Sequence, residues 1–186
     1  LANEMFIDTA LTRDSAVSHA KSLGYLPTST KSPYAIVTIT VYDVPISQLS
    51  VVMAAGTIFT TSINGTSYQF VTISDHTATS DTGIFVFSDV SIYEGTRIDY
   101  TYTVNTSNLE QRFVIPSNSA DTSTLVVTVQ ASASDVTSET YTLNTDYALL
   151  KSTSLNYFLQ EIEDGQYEVC FGDGITGFKP TNNTIR

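Results

Sequence analysis

Residues 35–42 read AIVTITVY, and the fold turns on how that stretch is phased. Val37, Ile39 and Val41 alternate with Thr38 and Thr40, so a strand of period two sets three apolar side chains on one face and two threonines on the other. The alternation returns in RIDYTYTV, residues 97–104, where Ile98, Tyr100, Tyr102 and Val104 share a face, and in TLVVTVQ, residues 124–130, with Leu125, Val127 and Val129. Strands with one packed and one wetted face belong to antiparallel sheets. Doubly wound parallel sheets show near-continuous apolar strands separated by helical crossovers, and no such crossover is legible here. The pattern predicts a mainly β protein of the α+β class, with antiparallel sandwich-like lobes and a short N-terminal helical segment.

Turn chemistry and the helical pattern divide the chain. Asn64-Gly65 in SINGTSYQF and Asp164-Gly165 in EIEDGQYEV lie between apolar runs and favour the positive-φ backbone of tight hairpins. Near the N-terminus, Met5, Phe6 and Ala10 fall at helical spacing. Ala16, Val17, Ala20 and Leu23 repeat it after a break at LTRD, which predicts two short helices. Thr12, with Asp14 or Ser15, offers an N-cap, Gly24 a C-terminal cap and Pro27 a stop. The polar, proline-containing stretch 115–123 marks the best boundary between β lobes. The expected organisation is a helical segment over 1–30, a first antiparallel lobe over 31–115 and a second over 116–186. From the start at Leu1 and the closing TNNTIR a fragment is expected, with the second lobe truncated.

Composition limits the partners. A chain of 186 residues with 41% hydrophobic and 15% charged residues can bury a core as one domain or two small ones, and it holds no apolar run long enough for a membrane helix. A formal charge of -11, from 19 acidic against 8 basic side chains, argues against nucleic acid, whose phosphates are bound by Lys and Arg. The single Cys170 allows no internal disulfide, and its apolar alternating surroundings indicate a packed thiol. The opening LANEMFID lacks the basic and apolar regions of a signal peptide.

The chemical candidates are few. In EVCFGDGITGFKP, residues 168–180, Gly172, Gly174 and Gly177 spell G-x-G-x-x-G. A dinucleotide fingerprint needs those glycines to open a helix, with an acidic residue on a following strand. Here Phe178, Lys179 and Pro180 follow at once and the chain ends at Arg186, so the motif reads as a strand exit and turn. Neither Asp164 nor Asp173 belongs to a D-x-D-x-D-G calcium ladder. His19 and His76 have no second metal ligand at a useful spacing. Asp75 and His76, adjacent on a strand, point to opposite faces and make no triad with a serine. Tyr100 and Tyr102 share a face, a spacing that suits a carbohydrate- or peptide-binding surface but is equally that of a sheet core, the reading preferred here. Asn64, Asn105 and Asn182 begin N-x-[ST] triplets that chance supplies in so Ser- and Thr-rich a chain. No catalytic residue, cofactor or metal is expected.

Five stretches in order resemble a known family: NEMFIDTALTRDSAVSHAKSLGYLP, AAGTIFTTSINGTSYQFVT, IYEGTRIDYTY, RFVIPSNSADTSTLVVTV and YFLQEIEDGQYEVCFGDGITGFKP. They are similar to the baseplate wedge proteins of T-even-like myophages, within the wider baseplate J-like family of contractile injection machines. The sharpest marker is the last stretch, which resembles the family's V-x-F-G-D-G-x-x-G-x-x-P segment in Gly172, Asp173, Gly174, Gly177 and Pro180. The family carries a further glycine after that proline, where this chain has Thr181, Asn182 and Asn183. The resemblance implies a structural virion protein without a catalytic centre. Such a protein is assembled in the host cytoplasm into an inner baseplate ring, where it couples baseplate rearrangement to sheath contraction. It implies other wedge proteins as partners and self-association as a dimer; from charge and composition, neither nucleic acid nor membrane is expected. Met5, Phe6, Val17 and Leu23 are then a candidate partner-facing surface, unless that face covers a sheet of its own domain. The alternative of another class is a ligand-binding β module of adhesin or tail-fibre lectin type, which calls for exposed aromatic loops.

Overall fold

The computed structural model describes residues 2–25, 27–108, 110–146, 150–181 and 183–186, with the side chains of Ala2 and Asn3 left aside. The protein is mainly β, with antiparallel sheets and one short N-terminal helix. It forms two compact units, one of residues Leu1–Lys31 with Asp99–Arg186 and one of Ser32–Ile98. The division therefore falls at Lys31/Ser32 and Ile98/Asp99 and not within 115–123. Residues 99–115, assigned above to the first lobe, pack with the C-terminal half because Tyr102 and Phe113 join its core.

The unit Ser32–Ile98 is built on a four-stranded antiparallel sheet of order β1-β6-β4-β3, from β1 (Tyr34–Val41), β3 (Ile58–Ile63), β4 (Thr66–Thr72) and β6 (Phe85–Glu94). A separate pair, β2 (Ser50–Met53) with β5 (His76–Thr79), contributes Val51, Met53 and Ala78 to the same core. The expected face of β1, Val37, Ile39 and Val41, packs there against Phe85, Phe87, Val90 and Ile92 of β6. The β6 sequence changes phase midway, since Phe85 and Phe87 are odd-numbered and Val90 and Ile92 even-numbered. The register shifts between Val37 and Ile39, opposite Asp89 at φ 55°, so one extra residue in β6 keeps both apolar pairs inward.

In the other unit a seven-stranded sheet runs in the order β7-β13-β9-β10-β11-β12-β8. Its strands are β7 (Tyr102–Thr103), β8 (Phe113–Ile115), β9 (Val127–Gln130), β10 (Ser138–Leu143), β11 (Asn156–Glu161), β12 (Tyr167–Phe171) and β13 (Thr184–Ile185). β10 and β11 pair in parallel and their neighbours antiparallel. The two ends of this sheet meet. The Tyr102 hydroxyl on β7 donates to the Val114 carbonyl on β8, and the Tyr102 ring stands edge-on to Phe113 at 5.8 Å. The enclosed core holds Val127, Val129, Tyr141, Tyr157, Leu159, Tyr167, Val169 and Ile185. Phe113, Phe171, Tyr141 and Phe178 continue it as a chain of edge-to-face rings.

Two local expectations change. The first predicted helix is a pair of 3₁₀ turns, Ala2–Met5 and Ile7–Thr9, and the regular helix is α1 (Arg13–Ser22). Thr12 caps α1 by accepting from Ser15 N–H at 3.3 Å. At its end Gly24, at φ 76°, donates to Lys21 C=O while Tyr25 N–H reaches Ala20 C=O, a Schellman closure. The predicted strand 97–104 is reduced to β7, because β13 offers only Thr184 and Ile185 as partners; Ile98 stays exposed.

Candidate functional site

β12 ends in the glycine-rich segment, and backbone geometry dictates its residues. A Cβ on Gly172 would lie 2.4 Å from the Gly177 carbonyl and the Thr176 oxygen, so the chain passes itself where only glycine fits. Gly174 and Gly177 hold φ values of 93° and 85°, in the left-handed region. The Asp173 carboxylate accepts from Thr176 N–H at 2.7 Å and Ile175 N–H at 2.8 Å. These two bonds, Thr176 foremost, hold the carboxyl below its usual range. Gly174 N–H donates to Gly177 C=O at 3.1 Å, Gly177 N–H to Lys151 C=O at 3.2 Å and Phe178 N–H to Ser154 C=O at 3.0 Å. The amide groups that a phosphate cradle would present are thus engaged within the protein, and no helix begins there. Phe178 packs on Tyr141 and Pro180 is buried, so the segment anchors the chain leaving β12.

The two hairpins sit where the turn residues fall. Asn64 and Gly65, at φ 51° and 82°, join β3 to β4, with Ile63 opposite Thr66. Asp164 and Gly165, at φ 59° and 72°, form the bend between β11 and β12, closed by Ile162 N–H to Gln166 C=O at 2.8 Å.

The bend lies beside a polar clasp. Glu161 shares a face of β11 with Tyr157 and Leu159 and is 0% exposed. Arg13, in the first turn of α1, meets it fork to fork, Nε to Oε1 at 2.7 Å and Nη2 to Oε2 at 3.0 Å. Lys21, two turns on, donates to the Glu161 carbonyl. The Tyr167 hydroxyl lies 3.2 Å from Glu161 Oε2 and 3.1 Å from Pro27 C=O, and Ser29 Oγ accepts from Thr122 N–H at 2.9 Å. Bonding to Glu161 raises the Arg13 pKa, and burial, with Glu161 beside it, raises that of Tyr167. The clasp ties α1, Pro27 and Ser29 to the rest of their unit. The pairing was hidden in the sequence by a separation of 148 residues. One signal was present: Glu161 is a charge in phase with the core residues Tyr157 and Leu159.

The predicted partner-facing set divides. Val17 is buried at 8% exposure, on the side of α1 turned to the β11–β12 bend, and is therefore a core residue and not a docking residue. Met5, Phe6 and Leu23 are exposed at 70%, 66% and 78%, and Ile7, Leu11 and Tyr25 extend that exposed apolar set.

The remaining candidates separate. His76 Nε2 lies 3.3 Å from Ser74 Oγ, while Asp75 instead accepts from Ala55 N–H at 2.7 Å. His19 Nε2 lies 2.9 Å from Glu4 C=O. Burial raises the Cys170 pKa, as expected for a packed thiol. Tyr102 is half-buried against Phe113 and forms no exposed platform. Asn182 lies outside the described residues. Among those described, no three His, Cys, Asp or Glu side chains are grouped to hold a metal, and no helix is long and apolar enough to cross a membrane. No protein-family model matches the chain, and neither does any curated protein.

Proposed function

We propose that the chain is a structural subunit of a contractile-tail baseplate wedge, an assembly protein that helps to link baseplate rearrangement to sheath contraction. The reading rests on the resemblance of its ordered sequence stretches. The observation that carries it furthest is the use made of the F-G-D-G-I-T-G segment: its glycines, Asp173 and Pro180 all serve the path of the chain. A motif devoted to shape fits a scaffold better than it fits an enzyme. The exposed set of Met5, Phe6, Leu11 and Leu23 adds an apolar surface on which another wedge protein can seat.

Light scattering of the chain mixed with neighbouring wedge proteins tests the reading. A mixed complex that is lost in a Met5→Ser, Phe6→Ser, Leu23→Ser triple variant is the expected result. Failure of the chain to join any wedge protein, together with retention on a glycan array, would replace the proposal with a ligand-binding module.

A further inference from the structure

The β3 edge of the four-stranded sheet is open and unguarded. Thr72 N–H donates to Thr57 C=O at 3.1 Å just before the strand. Hydrogen-bonded residues alternate along an antiparallel ladder, so Phe59, Thr61 and Ile63 bond β4, while the N–H and C=O groups of Ile58, Thr60 and Ser62 face away from the sheet. Ile58 and Ile63 are each 57% exposed, and Thr60, Thr61 and Ser62 are exposed between them.

Sheet edges are ordinarily blunted by charge, proline, a bulge or closure. The β1 edge has a register shift, with Lys31 and Pro33 leading into it, and the larger sheet brings its two ends together through Tyr102. β3 has none of these devices, since its register with β4 runs without a shift from Ile58↔Val71 to Ile63↔Thr66. Residues 44–74 contain no Asp, Glu, Lys, Arg or His, although the chain as a whole carries -11. This is the stretch along which two copies can approach without like-charge repulsion.

We propose that β3 pairs antiparallel with β3 of a second copy, about a two-fold axis at Thr60. Directly opposed residues must point to the same face and direct their backbone groups at one another. A register centred on Thr60 meets both conditions, setting Thr60 against the partner's Thr60 and Ile58 against the partner's Ser62. The two four-stranded sheets then join into one. The resemblance implies self-association without a surface for it; the pairing deepens that reading by naming the β3 edge and its register, and the edge argument itself does not depend on which machine the chain serves.

Sedimentation equilibrium of the whole chain over a concentration series tests it, comparing the wild type with Thr60→Pro and Ser62→Lys. The Thr60 N–H faces the open edge, so proline there removes a donor at the centre of the pairing while leaving the β4 ladder intact. Lysine at the exposed Ser62 places a charge on the edge and keeps the test usable if the proline variant fails to fold. The expected result is a wild type that moves to twice its monomer mass, and folded variants that stay at monomer mass with the wild-type circular dichroism. A wild type that remains monomeric throughout, or a dimer that persists in Ser62→Lys, overturns the proposal. Neither outcome bears on co-assembly with wedge proteins, which the mixing experiment reads separately.

Discussion

Glu161 and Arg13 show how a single side chain fixes a terminal segment. A carboxylate with no solvent exposure needs a partner, and the guanidinium meets both of its oxygens. Removing one member of a buried pair leaves the other charge stranded, so Arg13→Ala is expected to lower stability by about 3 kcal/mol, the lower end of the range because water reaches the half-exposed guanidinium. A urea midpoint shifted at unchanged slope would register it; a midpoint within a few tenths of molar of wild type contradicts the clasp. Glycines discriminate equally well. Gly65 has open space around its missing Cβ and Gly172 has backbone at 2.4 Å. Gly65→Ala should therefore cost about 1–2 kcal/mol for its left-handed backbone, and Gly172→Ala about 3 kcal/mol or more for the clash. Thermal melts of the two variants that coincide would refute the distinction. The glycines were legible because turn chemistry is local, whereas the clasp joins residues that no local pattern relates.

Among elements, β6 shows what periodicity can and cannot convey. Its two apolar pairs are out of phase in sequence, and only the extra residue at Asp89 reconciles them. The strand read from 97–104 had good alternation but lacked a neighbour for most of its length. Alternation specifies which face packs, and pairing decides whether a strand exists. The turn after β12 makes a prediction in acid. The folded Asp173 pKa lies below its unfolded value, so the turn's contribution is complete above the ordinary carboxylate range and is lost as pH falls through the depressed value. Asp173→Asn keeps an acceptor and removes the titration. Its melting temperature should fall less steeply than that of the wild type below pH ~4, near the unperturbed Asp value; parallel curves would show that Asp173 does not contribute.

At the scale of the whole molecule, the sequence conveyed a mainly β chain with more than one β lobe, but not its connectivity. The polar stretch 115–123 reads as a linker, yet Phe113 before it, Ile115 at its start and Leu125 and Val127 after it enter the same core. Loops within one lobe and linkers between lobes have the same composition, so only tertiary contact separates them. Ser32–Ile98 is one continuous stretch with a core of its own, inserted between the two segments of the other unit. Residues 32–98 produced alone should unfold cooperatively in urea with a β-type circular dichroism spectrum; a coil spectrum would show that the unit depends on the rest of the chain.

The ends of that insertion lie side by side. Ser32 Oγ donates to Glu94 C=O at 2.6 Å and Glu94 N–H to Pro33 C=O at 2.8 Å, at the point where β1 begins and β6 ends. Tension applied through Lys31 and Asp99 pulls both strands from the same end, loading their bonds singly as in a zipper and not together as in shear. Under such a load the sheet opens from its Ser32–Glu94 end, one pair of bonds after another.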